Sequence, residues 1–211
     1  MQIQAHHTLT NEQNIKSSDI IKHLLARRGI TDTDEFLQCP SPVERSLCDF
    51  GFSAEIDILI KLLKDTQAKG KKVIVYTDYD ADGITGGSIL WETLYLLGYD
   101  ALPYVPNRQT EGYGFSISAL ETVREKYDPG LIISVDHGIT ALEQIAYADQ
   151  MGIAVVVTDH HTRKDELPDK ARAIFHIPSL SGSAVAYYVA KEIFNRVSDP
   201  KHKNHQRLRS H

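Results

Sequence analysis

The chain has 211 residues, 42% of them hydrophobic and 24% charged, with a formal net charge of −5 at pH 7. That is enough for one sizeable α/β domain or two small ones, and the apolar content excludes general disorder. The mild negative charge argues against a protein that coats nucleic acid through an extended basic surface, yet it leaves a nuclease open, because divalent ions bound among the acids would cancel much of the imbalance. No apolar run reaches the ~20 residues of a membrane span. The start, Met1-Gln2-Ile3-Gln4-Ala5-His6-His7, lacks the charged-then-apolar layout of a signal peptide, so a cytoplasmic protein without a membrane partner is expected. Cys39 and Cys48 show no C-x-x-C or zinc pattern and are read as reduced thiols.

In chain order, residues 1–17 are polar without a period and are expected to be a mobile lead-in. Ser18 can cap a helix carrying Ile20, Ile21, Leu24 and Leu25 on one face, ended by Arg27-Arg28-Gly29. A short helix from Asp32 to Leu37 runs into Pro40 and Pro42. Ser53 then caps a longer one in which Ile56, Leu59, Ile60 and Leu63 recur at helical spacing, stopping at Gly70. Residues 18–70 are thus expected as a helical N-terminal segment.

From Lys72 the pattern alternates. Strands are expected at Val73 to Thr77, Ala101 to Val105, Leu131 to Val135 and Ile153 to Thr158. Helices are expected at Gly86 to Leu97, from a Ser118/Glu121 capping box through Lys126, at Ala141 to Met151 and at Ala184 to Arg196. Such alternation predicts an α/β domain over 71–197, a mostly parallel sheet with helices on both faces. Residues 198–211 are a polar basic tail that cannot pack.

The chemistry gathers at the predicted strand ends. Val73-Ile74-Val75-Tyr76 leads straight into Asp78-Tyr79-Asp80-Ala81-Asp82-Gly83, a carboxylate cluster that repels itself unless cations occupy it. The same spacing opens an EF-hand, but the twelfth position from Asp78 is Ile89 rather than a bidentate Glu, and the lead-in is a strand rather than a helix. A solvated acidic turn is the other reading, and an apolar strand feeding the acids weighs against it. The third strand ends at Asp136-His137-Gly138 and the fourth at Asp159-His160-His161. Parallel strands put their C-terminal ends on one edge, so the three groups should converge.

Carboxylates with imidazoles and no thiolates suit Mn²⁺ or Mg²⁺ better than structural zinc. Asp80, Asp82, Asp136 and His160 can hold two ions, with Asp78 completing one shell and Asp136 bridging. Such a pair suits in-line phosphoester hydrolysis. Asp159 is expected to orient His160, and His161 to contact phosphate or assist proton transfer; Asp136, Asp159 and His161 form the expected catalytic group.

The motifs Asp78-Tyr79-Asp80-Ala81-Asp82-Gly83, Val135-Asp136-His137-Gly138 and Asp159-His160-His161 resemble the first three motifs of the DHH phosphoesterase superfamily. Within it the chain is most similar to the RecJ-like single-strand-specific exonucleases. Val105-Pro106-Asn107-Arg108 with Glu111-Gly112-Tyr113-Gly114 resembles their loop after the second strand, and Arg28-Gly29-Ile30 through Phe36-Leu37 their N-terminal region. The resemblance covers roughly residues 18 to 196 and implies a nuclease, using two Mn²⁺ or Mg²⁺ ions, that degrades single-stranded DNA from its 5′ end in DNA repair. It also implies substrate contacts from Arg108, His161, Ser181 and Ser183.

There are departures. Tyr76 stands where many members have a metal-binding histidine, and the G-T-I-A-D fourth motif is replaced after the Ala184 to Arg196 helix by Ser198-Asp199-Pro200. The substrate-gripping second domain is also missing, so a second chain or domain that supplies it is an expected partner. Two alternatives stay open: a DHH phosphodiesterase on short oligonucleotides or cyclic dinucleotides, and a non-catalytic scaffold.

Overall fold

The computed structural model describes residues 16–38, 41–112 and 114–198. The expected lead-in over 1–15, Cys39, Pro40, Tyr113 and the tail from Asp199 onward lie outside the described residues. Packing divides the chain at Arg45/Ser46. The expected helical segment 18–70 is therefore split, because its longest helix buries its apolar face with the sheet.

The first unit carries α1 (Ser17–Ala26) and α2 (Thr33–Gln38). Helix α1 begins one residue before the expected cap. Ser18 lies in its first turn, and the Asp19 carboxylate accepts from Lys16 N at 3.3 Å.

The second unit is an α/β fold: α3 (Ser53–Ala68), β1 (Lys72–Thr77), α4 (Ala81–Leu96), β2 (Ala101–Tyr104), α5 (Ile117–Tyr127), β3 (Pro129–Val135), α6 (Leu142–Gln150), β4 (Ala154–Asp159), β5 (Ala173–His176) and α7 (Gly182–Val197). The five strands are all parallel in the order β2-β1-β3-β4-β5. Their period of two sorts the core into two layers. Val73, Val75, Leu131, Ile133, Val156 and Phe175 pack with Leu59, Leu94 and Val189 of α3, α4 and α7. Ile74, Tyr76, Ile132 and Val157 face Leu120 and Ile145 of α5 and α6.

Three features differ from the sequence reading. Strand β5 is new: four residues after a polar loop give too short a period to read, and β4 recruits them as an edge. Helix α5 is capped by Ser116, whose Oγ accepts from Ala119 N at 3.2 Å, while Ser118 donates instead to Glu111 O at 3.0 Å and Glu121 accepts from Tyr147 Oη at 3.0 Å. The expected Ser118/Glu121 box fails because the upstream loop claims Ser118.

Helix α4 starts at Ala81 rather than Gly86. Gly83, Gly86 and Gly87 weaken it by about 1 kcal/mol each on propensity, but they let it lie against the sheet. A Cβ on Gly87 would sit 2.0 Å from Thr77 Cγ2. Gly87→Ala is therefore expected to destabilise the protein by about 1–2 kcal/mol net, the strain of overpacking outweighing alanine's helix preference. Urea unfolding followed by circular dichroism checks this; an unchanged or higher midpoint would refute the close approach.

Among the described residues no helix is long and apolar enough to cross a membrane, and Cys48 is a free, exposed thiol.

Candidate metal centre

The register fixes the site. Thr77 pairs with Val135, Val135 with Thr158, and Asp159 with His176, so Asp78, Asp136, Asp159 and His160 emerge at one level of one sheet edge. Asp136 turns there in the left-handed region, at φ 65°, with its N–H on Thr158 O at 2.9 Å. Aspartate is one of the few side chains that tolerates this conformation. Gly138 follows at φ 113°, where a Cβ would meet Ser134 Oγ at 2.7 Å.

Asp136, His160 and His161 bring one ligand atom each within 4.8 Å of one another. His160 Nε2 lies 3.2 Å from Asp136 Oδ1 and 3.8 Å from Asp82 Oδ2, and His161 Nδ1 lies 3.9 Å from Asp136 Oδ1. Asp136 is almost fully buried, yet among the described residues no hydrogen bond reaches its Oδ1. Burial, reinforced by the charges of Asp82 and Asp80, pushes its carboxyl up to about 6, with His161 and His160 opposing. Oxygen and imidazole donors that converge on a buried, unbonded carboxylate oxygen fit a hard divalent cation.

The neighbouring acids have separate tasks. Asp80 caps α4, its Oδ1 accepting from Asp82 N and Gly83 N at 3.0 and 2.9 Å. Asp82, one residue into the helix, accepts from Gly182 N at 2.6 Å and Ser183 N at 2.7 Å. Burial alone would raise the Asp82 pKa, but hydrogen bonds from the Ser183 hydroxyl and from the Ser183 and Gly182 amides, with the His160 charge, hold it below the ordinary value. Asp78 is buried and accepts from Tyr79 N at 2.7 Å. Its charge reaches His161.

The sequence leads one to expect the Asp159 carboxylate on the His160 ring; the structure sets it on the His161 ring instead. Its Oδ1 lies 2.8 Å from His161 Nδ1 and accepts from the backbone N–H of His160 and His161 at 2.7 and 3.0 Å, while Oδ2 accepts from Ile139 N at 3.0 Å. With both oxygens engaged inside the fold, it holds the His161 ring. Burial would lower the His161 pKa, but the Asp159 hydrogen bond and charge raise it, helped by Asp136 and Asp78. Burial would raise the Asp159 carboxyl, and the N–H donors with the His161 ring bring it below the ordinary value.

Tyr76 contributes no donor to this edge. It is fully buried on the α5/α6 face, its Oη donates to Gly114 O at 2.9 Å, and its ring packs against His137, Phe115 and Tyr104. Arg108 stacks its guanidinium 5.2 Å over the Tyr79 ring, on a loop held by Glu111, which accepts from Tyr104 Oη at 2.5 Å and Asn107 N at 2.7 Å. Ser181 caps α7, its Oγ accepting from Ala184 N at 3.2 Å and lying 3.0 Å from Ser183 Oγ. Two contributors escape the sequence reading: the backbone amides of 182–183, and His176, whose Nε2 lies 2.7 Å from His161 O. His176 ends a strand as the other site groups do, which is its only visible signal.

The DHH family, N-terminal domain, matches residues 72–208. The single-stranded-DNA-specific exonuclease RecJ of Bacillus subtilis is 36% identical over 146 residues, covering 65% of this chain and 18% of that protein. The Salmonella typhimurium RecJ is 33% identical over 81% of this chain and 30% of its own length. Among solved structures, exonuclease RecJ bound to manganese superposes with a TM-score of 0.60 at 33% identity, over 69% of this chain and 39% of that one. The Thermus thermophilus RecJ in complex with Mn²⁺ gives 0.55 at 29%, over 68% and 21%. The chain spans less than a third of the length of either of these curated relatives. The match over 72–208 and the strand-end site together place the chain in the DHH family, as an N-terminal domain of that family.

Proposed function

We propose that this domain hydrolyses phosphodiester bonds of single-stranded DNA from the 5′ end using Mn²⁺ or Mg²⁺; the RecJ relatives' name supports the single-stranded DNA substrate and their bound manganese the divalent ion. The observation that carries this reading is the buried, unbonded Asp136 Oδ1 facing His160, His161 and Asp82 at the sheet edge. Asp82, Asp136 and His160 would hold the ions, with Asp78 and Asp80 adding negative charge beside them. When bound, a metal pair activates water and neutralises the phosphoryl oxygens.

The chain's own groups do the rest in this reading. Asp159 fixes the His161 ring through Nδ1, leaving Nε2 to hold a proton or a phosphate oxygen. Arg108, held beside Tyr79, supplies a cation for backbone phosphate, and Ser181 and Ser183 lie at the start of α7, where Ser183 meets Asp82. A second domain or chain that grips the remaining strand belongs to the same proposal, as does work in the cytoplasm on DNA repair.

The test is Mn²⁺-dependent release of nucleotides from 5′-labelled single-stranded DNA, with Asp80→Ala/Asp82→Ala as the control. Activity is expected in wild type and background in the double variant, and His161→Ala should lose about a hundredfold or more. Equal background rates in wild type and the double variant would sink activity in this chain.

A further inference from the structure

We infer that the first turn of α7, Ser181-Gly182-Ser183, is a positioning element of the metal centre, acting through the backbone amides of Gly182 and Ser183 and the bare Cα of Gly182. The inference rests on the metal reading of the site. It differs from the expected role of these serines as substrate contacts.

Three observations carry it. First, the two N–H groups grip the two oxygens of Asp82 separately, Gly182 N on Oδ2 and Ser183 N on Oδ1, across a hundred residues of sequence. A carboxylate held by both oxygens has its plane fixed, and each oxygen keeps a lone pair for a cation. Oδ2, the oxygen 3.8 Å from His160 Nε2, is also the one on Gly182.

Second, a Cβ on Gly182 would lie 2.2 Å from Asp136 Oδ1 and 2.5 Å from its Cγ. The backbone of Gly182 is not in the left-handed region, so space alone demands glycine there. The atom it makes room for is the buried, unbonded oxygen at the heart of the site. One residue therefore touches both acids, binding Asp82 with its amide and yielding to Asp136 with its missing side chain.

Third, the packing that brings α7 to this spot is built into α4. Gly86 stands one helical turn beyond Asp82, on the same face, where a Cβ would meet Val135 Cγ1 at 2.9 Å, Ser183 Cα at 3.1 Å and Ala186 Cβ at 3.2 Å. Ser181 Oγ is occupied by capping and lies 3.0 Å from Ser183 Oγ, and the Ser183 hydroxyl adds a hydrogen bond to Asp82 beside the two amides.

A purely structural cap would alter stability without altering metal affinity, so the readout is Mn²⁺ affinity by calorimetric titration of the whole chain, with folding checked by circular dichroism. Gly182→Ala should weaken Mn²⁺ binding about tenfold or more, as loss of ligand-orienting contacts does. Ser183→Pro deletes one donor in a first turn that tolerates proline and should weaken it as well. Ser183→Ala, which keeps the amide and loses only the hydroxyl's bond to Asp82, should weaken it less than either. Wild-type affinity in a folded Gly182→Ala and a folded Ser183→Pro overturns the inference, as does an equal loss in Ser183→Ala. If one of the first two variants unfolds, the other decides, and unfolding of both marks a structural turn and overturns it too. Absence of saturable Mn²⁺ binding in wild type overturns the metal reading itself.

Discussion

Asp136→Asn is expected to abolish Mn²⁺ binding and, in metal-free protein, to stabilise the fold by about 1–3 kcal/mol at neutral pH. The carboxyl is buried with its pKa pushed up to about 6, mainly by burial and then by the Asp82 charge, from an ordinary value of 3.8. A raised carboxyl means that the folded state binds its proton more tightly than the unfolded state. Wild type therefore loses stability relative to the asparagine variant as pH rises through 3.8 to about 6, and the gap is full above that window. Asparagine suits the left-handed backbone at φ 65°, so the comparison isolates the charge. Urea unfolding of both proteins in chelator, in acid and at neutral pH, measures the gap. A variant less stable than wild type at neutral pH would show that Asp136 is not strained by its charge. Metal addition should reverse the order by stabilising wild type alone.

The second large effect is expected at Asp159. Replacing it with alanine removes the acceptor of the N–H groups of Ile139, His160 and His161 and of the Nδ1 of His161. One buried donor and three half-buried groups left without their acceptor should cost about 2–4 kcal/mol. Asp159→Asn, which keeps oxygen acceptance at one position, should cost less. The Asp159 carboxyl is held below its ordinary value, so its contribution is present above pH 3.8 and fades as pH falls through the folded value. The deficit of the alanine variant should accordingly shrink in acid. In the same variant the His161 pKa should fall, because its raised value depends on Asp159; histidine NMR titration reads that directly. An unchanged His161 titration would remove Asp159 from the role of positioning that ring.

These effects differ in how far they can be read in advance. The four expected strands and most of the helices are visible because apolar periodicity is local: Val73-Ile74-Val75-Tyr76 or Leu131-Ile132-Ile133 needs no partner to announce itself. The site acids are visible because a dense carboxylate cluster after a buried strand has few innocent explanations. The role of Asp159 is less legible. Its adjacency to His160 suggests the wrong ring, since which imidazole folds back on the carboxylate depends on the turn after β4. Helix α4 is shortened in the reading by its three glycines, whose low propensity is overridden by the contact with Thr77, Val135 and Asp78. Strand β5 and His176 are hidden because four edge residues carry almost no pattern before β4 pairs with them.

The sequence by itself determined the donor types, their order along the chain, and the edge on which they meet, since alternation of strands and helices forces parallel strands to end together. Only the tertiary structure decided which donors touch. The close packing of α4 on α7 at Gly86 sets the N–H groups of 182–183 on Asp82. The left-handed turn at Asp136 presses its unbonded oxygen against Gly182. Both depend on α7 closely approaching segments far away along the chain, the start of α4 and the end of β3, a distance that no local period encodes.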